Sequence, residues 1–545
     1  MSEETPLAPE NVQTINQIVQ TRMANCQFDL IIIGAGINGA GIARDASMRG
    51  LRVLLIDKGD IASGTSSGST RLIHGGLRYL EHGEIGLVRE SLRERETLLK
   101  IAPHLVKPLP ILIPIYENAN RSWLKIKAGL LAYDLLSLDK SLPRHRMLSR
   151  NELLKQSAGL NDEGLVGGAV YHDCQVQLAE RLVLENALCA KNHGAEVLTY
   201  TRVIGAHDGS VEFVRKDSTR HEFASAPVII NASGPWIDKV NGSRSGRLIG
   251  GTKGSHLVVK PFPGCPQSTI YVEAQSDRRP FFVIPWNSNY LIGTTDVRFE
   301  GDPDEVTVEE WEIEYLLNET NRVFPDARLQ PADVCYVYSG VRPLLYSRDD
   351  NERSITRRHF LRESPNDKNF LSIVGGKLTT YRSLAEQCVD LVLKKLGKRA
   401  VPCSTHTVPL PGGAKENKHE FNFAQRSLVY GSRVAELIRV CDRHTDLAKP
   451  LTPETDVLAG EIVFAFESEL AETLADCFLR RNMIGLSCNQ GVGADEAAAK
   501  IGNRFLGWTE ERAIKEVEDY RREISRMRSS PLRLSALGDS ALRRS

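Results

Sequence analysis

The chain has 545 residues, room for roughly three domains, and its 41% hydrophobic and 25% charged content excludes disorder over the whole length, which requires few apolar groups and a large net charge. Lys+Arg and Asp+Glu both number 69, so the formal net charge is zero and the global basic excess of a nucleic-acid binder is missing; no nucleic-acid partner is expected. Ten cysteines are too dilute for a disulfide framework, and no two have the CxxC spacing of a structural zinc site; His172 and Cys174 read as an incidental pair, so no metal is expected.

Residues 1–26 form a polar extension without the apolar centre of an export signal. No uninterrupted run of about 18 apolar residues follows, so a cytoplasmic chain that does not span a membrane is expected. The run FDLIII at 28–33 is short, β-branched and stopped by Gly34, which predicts a buried parallel strand. A helix over 40–49 and a second strand over 51–56 complete a βαβ unit of about thirty residues. A charged amphipathic helix is predicted at 85–102 and further helices at 123–138 and 178–193, with strands at 196–203 and 227–233. Segments between 247 and 345, such as RPFFVIPW and NYLIGTTD, are β-rich. A strand at 371–376 runs through a glycine turn into a helix from about Ser383, and the chain past Pro411 is mostly helical, as in 461–481 and 495–523.

Between the first strand and helix stands Gly34-Ala35-Gly36-Ile37-Asn38-Gly39. In such a G-x-G-x-x-G the first glycine permits the tight turn, the second admits a pyrophosphate and the third lets helix and strand approach. Asp57 ends the second strand, placed for ribose hydroxyls; an acid there disfavours a 2′-phosphate, leaving FAD or NAD rather than NADP. Residues 60–78 are dense in small hydroxyl and glycine residues, as a loop lying along an extended cofactor would be. Asn231-Ala232-Ser233-Gly234-Pro235-Trp236 follows a buried strand and offers a second return of backbone toward a nucleotide. Gly375-Gly376-Lys377-Leu378-Thr379-Thr380 lies between strand and helix, where amides and dipole suit the electron-rich edge of a reduced flavin.

IGAGINGAGIARDASMRG (33–50), TSS (65–67), RLIHGGLRYLE (71–81), NASGPW (231–236), SGVRPL (339–344), GGKLTTYRSLA (375–385) and FAFESELAETLADCFLRR (464–481), in this order, resemble the FAD-dependent glycerol-3-phosphate dehydrogenase family over about residues 27 to 525. Asp57 stands where members often carry Glu, and Ala35 where many have Gly; both keep the mechanics. The resemblance implies an α/β fold: a Rossmann-like FAD-binding domain (about 27–105, 165–245 and 335–400) with an inserted mixed, β-rich substrate domain (about 106–164 and 246–334). A C-terminal α-helical domain over 401–525 and a basic tail over 526–545 would follow. It implies oxidation of sn-glycerol 3-phosphate to dihydroxyacetone phosphate, with electrons passing to a membrane quinone or, in the oxidase alternative, to oxygen. FAD contacts would come from Gly34, Gly36, Gly39, Asp57, Lys58, Thr65, Ser66, Ser67, His74, Val203, Ser233, Gly234, Gly376, Lys377, Leu378 and Thr379. Substrate contacts would come from Arg78, Tyr79, His256, Arg342, Arg357 and Lys377. Lys377, His74, His256 and Arg342 are the catalytic candidates; which takes the hydroxyl proton stays open, although an arginine, always protonated, is a poor base.

Peripheral membrane association and a homodimer are compatible with the resemblance. RSWLKIK at 121–127, followed by AGLLAYDLL, reads first as a buried helix of the substrate domain and alternatively as an interface helix. The end of the chain from Arg521, with seven arginines, reads as a frayed solvated tail or as a contact for anionic lipid.

Overall fold

The computed structural model describes residues 27–117, 119–138, 140–242, 246–347, 357–414 and 424–528; the N-terminal extension and the tail beyond 528 lie outside these residues. A six-stranded sheet carries the nucleotide-binding unit, in the order Phe360–Ser364, Asp367–Val374, Val228–Asn231, Leu30–Ile33, Val53–Ile56, Glu196–Leu198, parallel except for the first strand. Its central strands are apolar throughout because both faces are covered. Leu30, Ile32, Val53 and Leu55 meet the helices Ile37–Met48, Ala179–Asn192 and Tyr381–Lys395. Ile31, Ile33, Leu54 and Ile56 meet a three-stranded sheet of Thr201–His207, Ser210–Arg215 and His221–Ser225. The single strand expected at 196–203 is therefore two, broken at Tyr200, whose φ of 49° no strand accommodates.

A second, larger sheet is mixed. The strand Thr252–Val259 pairs antiparallel with Asn289–Gly293 on one side and Val334–Arg342 on the other. Further along, Val106–Tyr116 pairs over its whole length with Leu165–Val176. The strands Leu165–Val176 and Val334–Arg342 belong to this mixed sheet, although the sequence boundaries at 165 and 335 group them with the nucleotide fold. The helix Trp123–Leu135 buries Ile126, Leu130 and Tyr133 against this sheet but leaves Leu124 (75% exposed), Leu131 (48%) and Leu135 (65%) open, with Leu138 (71%) just beyond. The segment is thus a helix of this sheet layer with one face buried and one face of leucines open.

The C-terminal region is helical, with breaks the sequence pattern hid. Ala459–Ser468 stops before Leu470 (φ 59°), and Ala494–Phe505 is separated from Glu510–Ser525 by Gly507. The helical region is locked to the nucleotide fold by buried charge. Asp60 accepts from Arg481 Nη1 and Nη2 at 2.7 Å and from Arg480 Nε, and Arg181 on Ala179–Asn192 pairs with Glu469. Removing one partner would strand a buried charge, at about 3–5 kcal/mol. One disulfide, Cys335–Cys488, adds a second tie; residues 153 apart in sequence gave no spacing signal for it.

Candidate active site

Two cavities meet at the turn Gly376–Leu378. The first, of about 230 Å³, is lined by Gly34, Gly36, Asp57, Lys58, Ser66, Val203, Ser233, Gly234 and Trp236. Gly34 has φ +106°, and a Cβ there would lie 2.6 Å from the Ala232 carbonyl oxygen, so the turn needs glycine. Gly39 lines nothing; a Cβ on it would strike the Gly34 carbonyl oxygen at 1.8 Å, which is the helix–strand packing role expected of the third glycine. The helix Ile37–Met48 starts at Gly36 without a side-chain cap, leaving amides turned toward the cavity; the Ile37 N–H alone is taken, by Ser66 Oγ at 3.0 Å. Asp57 accepts from the Ala35 N–H (2.6 Å) and the Gly59 N–H (2.8 Å), and burial pushes its carboxyl up to about 6 against those bonds.

These features suit a dinucleotide: a bare helix N-terminus for pyrophosphate, a glycine cradle beneath it and a carboxylate at the strand end. Asn38, inside the glycine motif, donates to the Gly375 carbonyl oxygen at 3.3 Å and so ties the first turn to the 375–378 turn. Ser67 is a correction. Its hydroxyl donates to the Ala62 carbonyl oxygen within its own loop, and the residue lines a separate cavity behind that loop. Lys58 reaches the cofactor cavity but spends its charge on Asp304 and the Trp236 ring.

The second cavity, of about 560 Å³, collects His74, Arg78, Tyr79, His256, Arg342, Arg357, Lys377 and Thr379 from five separate stretches of chain. His74 and Thr379 belong here rather than to the first cavity; the His74 backbone N–H donates to Thr379 Oγ1 at 3.1 Å. The 74–76 loop is propped from below, where the Gly75 N–H donates to Tyr133 Oη (2.9 Å) and Tyr133 in turn donates to Asp173, itself paired with Arg95. Arg78 and Tyr79 stand on the short turn Leu77–His82. His256 is buried, hydrogen-bonded through Nε2 to Thr70 Oγ1 (2.9 Å) and stacked on Tyr338. Burial, with Arg342 and Arg71 nearby, lowers its pKa to about 3, so the ring is neutral and a weak base.

The strongest feature unseen in the sequence is Asp296, at the end of the NYLIGTTD segment. It accepts from Arg342 Nη1 at 2.9 Å and Arg357 Nη2 at 3.2 Å, while Arg279 donates to its carbonyl oxygen. Burial raises its pKa, but the two guanidinium groups outweigh that and hold it below the usual carboxylate range. Five arginines (Arg71, Arg78, Arg279, Arg342 and Arg357) and Lys377 against Asp296 and Glu84 leave the cavity cationic. Arg357 Nη1 and Lys377 Nζ, like Arg71 Nε and His256 Nδ1 in the same lining, are buried without a hydrogen-bond partner. Lys377 Nζ sits 3.8 Å above the centre of the Tyr79 ring, and burial lowers its pKa to about 7 despite Glu84 and Glu90. A dianionic ligand and an acceptor for a proton are what Arg357 and Lys377 lack.

Residues 29–382 match the profile of the FAD dependent oxidoreductase family, and residues 403–513 match the C-terminal domain of alpha-glycerophosphate oxidase. The glycerol-3-phosphate dehydrogenase of Synechocystis is 44% identical over 91% of this chain and 96% of its own. The chain belongs to the FAD-dependent glycerol-3-phosphate dehydrogenase family. The aerobic glycerol-3-phosphate dehydrogenase of Escherichia coli is 37% identical, covering 89% of this chain and 98% of its own. The crystal structure of the glycerol-3-phosphate dehydrogenase of Bacillus halodurans, complexed with FAD, superposes with a TM-score of 0.75 over 94% of this chain and 98% of that one, at 27% identity. Membership of this flavin family makes FAD the dinucleotide that the first cavity fits.

Proposed function

We propose that the protein oxidises sn-glycerol 3-phosphate to dihydroxyacetone phosphate with Lys377 as proton acceptor, and passes the electrons to a membrane quinone. The observation that carries this reading is a pair of buried, unpartnered cationic donors in one cavity, Arg357 Nη1 and Lys377 Nζ. Bound FAD supplies the two-electron acceptor at which the C2 hydrogen leaves as hydride. Arg78, Arg342 and Arg357 hold the phosphate, with Asp296 fixing the planes of the last two so that their remaining N–H groups face one ligand. Neutral Lys377 takes the hydroxyl proton, and its ammonium then balances negative charge at the glycine turn beside it. Neutral His256 orients the hydroxyl through Nδ1, the ring nitrogen without a partner. The anaerobic test is a titration of purified protein with glycerol 3-phosphate. Stoichiometric bleaching of the flavin band is expected; an unbleached flavin refutes the assignment.

The exposed leucines of the helix Trp123–Leu135 recur at helical spacing and are flanked by exposed Lys125 and Lys127, the pattern of a helix lying on an anionic lipid surface. Among the described residues no helix is long and apolar enough to cross a membrane. Peripheral attachment of this kind brings the enzyme to a bilayer-dissolved quinone. Peroxide formed in step with substrate oxidised, from protein that ignores vesicles, would instead make it an oxidase.

A further inference from the structure

The disulfide sits on the strand that ends in the substrate arginine. Cys335 is the second residue of Val334–Arg342, and Cys488 lies in the loop after the turn Ile484–Leu486 of the helical region. Both cysteines line a surface cavity of about 390 Å³ together with Lys260, Asp333 and Arg528, and both are partly exposed. The free cysteines of the described residues are buried apart from Cys265, so a thiol reagent in solvent meets this bridge before almost any other sulfur.

Besides the bridge, Tyr336 is fully buried in an apolar cluster shared with the helical region, and Cys335 and Tyr338 pack against that cluster. Near the bridge, Tyr336 Oη donates to the Leu486 carbonyl oxygen (2.9 Å) and the Val337 N–H to the Met527 carbonyl oxygen (2.7 Å). Beyond them, residues 337–341 line a cavity of about 330 Å³ whose far wall is Leu479, Leu486 and Met527. The same strand then meets the site. Tyr338 donates to the Ser69 carbonyl oxygen (3.0 Å) and stacks on His256, and Arg342 pairs with Asp296. The opposite side of the helical region is clamped independently by Asp60 with Arg480 and Arg481 and by Arg181 with Glu469. Opening the bridge would therefore loosen one edge of the interface without detaching the region.

We propose that Cys335–Cys488 is a reversible thiol–disulfide exchange site, at which a dithiol releases the start of the Arg342 strand from the helical region and weakens substrate binding. A thiolate of the dithiol attacks one sulfur, breaking the Cys335–Cys488 bond and forming a mixed disulfide; its second thiol displaces the remaining cysteine and closes a cyclic disulfide. Two electrons and two protons pass from the dithiol, and both cysteines end as thiols. The kinetic part rests on Arg342 belonging to the phosphate clamp.

The FAD-bound protein is treated with dithiothreitol, desalted anaerobically, and split for peptide mapping, thermal unfolding and kinetics with glycerol 3-phosphate. Expected are a cross-linked peptide pair before treatment and two alkylated cysteines after it. Tm should fall by several degrees, and KM should rise three-fold or more with kcat changed less than two-fold. The oxidised form of the dithiol should restore every value, and Cys488→Ser should show the raised KM with or without reductant. The proposal is overturned if no cross-linked pair exists, if the bond resists dithiol in the folded protein, or if it opens while Tm and KM stay put. Should the serine variant fail to fold, the treated and untreated native protein decide the matter. Mapping and Tm need no substrate, so a wrong reaction assignment would appear separately, as flavin that glycerol 3-phosphate fails to bleach.

Discussion

Replacing Lys377 by Met removes a buried amine that faces both cavities. At the ordinary lysine pKa of 10.5, only about one side chain in 3,000 is neutral at pH 7; with burial lowering it to about 7, about half are. Burial thus raises the supply of proton acceptor by roughly 10³, within the span of about 10²–10⁴ that a placed base contributes. Flavin reduction by glycerol 3-phosphate, followed in an anaerobic stopped-flow instrument, should slow by about 100-fold or more in Lys377→Met. In the native enzyme the rate should rise with pH through about 7 and then level; in the variant, and in Lys377→Arg, it should be flat. The substitution should move stability in the opposite sense to activity. The folded pKa lies below the unfolded one, so between about pH 7 and 10.5 the unfolded chain holds a proton that the folded chain lacks, and the lysine destabilises the fold most below pH 7. At pH 8 the cost is at most about 3 kcal/mol, and FAD-free Lys377→Met should unfold at higher denaturant than FAD-free native protein. A variant that keeps the rise through pH 7 refutes the assignment of the base, and one that loses stability refutes the burial argument.

Arg342→Ala should lower kcat/KM for glycerol 3-phosphate by roughly 10- to 150-fold, the loss of a charge-assisted hydrogen bond, while the poor turnover of glycerol hardly changes; equal loss for both would move Arg342 from the phosphate to the chemistry. Because burial raises Asp57 to about 6, its carboxylate should be lost as pH falls through that value and FAD should bind more weakly below it, measured as flavin fluorescence released on dilution; Asp57→Asn should be weak at every pH, and a retention curve indifferent to pH would show that the ribose does not use this carboxylate. Leu131→Glu with Leu135→Glu should cut co-sedimentation with anionic vesicles about ten-fold or more without altering flavin reduction in solution, and added salt should weaken what binding remains; unchanged sedimentation would place the membrane contact elsewhere.

The nucleotide half of the site was legible because its information is local. A strand, three glycines, a helix and Asp57 fall within thirty residues, and Gly39 answers to a close approach inside that unit, although Gly34 answers to Ala232 at the neighbouring strand's end. The substrate half was legible only through whole blocks of family resemblance, since Arg78, Arg342, Arg357 and Lys377 taken singly look like surface charge. Asp296 and Arg279 carried no signal, because what places them is non-local pairing: Thr252 opposite Arg342 and His256 opposite both Gly293 and Tyr338. The same strand register turns an ordinary strand-end acid into the bridge between two substrate arginines.

Side-chain direction was equally hidden. Ser66 and Ser67 are neighbours of one composition, yet Ser66 meets the helix N-terminus and Ser67 folds back on its own loop. By itself, then, the sequence determined the family, the βαβ unit and the chemistry its short-range turns can hold, since these follow from periodicity and from residues a few positions apart. Only the tertiary structure decided the charge balance of the substrate cavity, the depressed pKa of Lys377, the Cys335–Cys488 bridge and the open leucine face. Burial and the pairing of distant strands set all four, and neither is written at any single position of the chain.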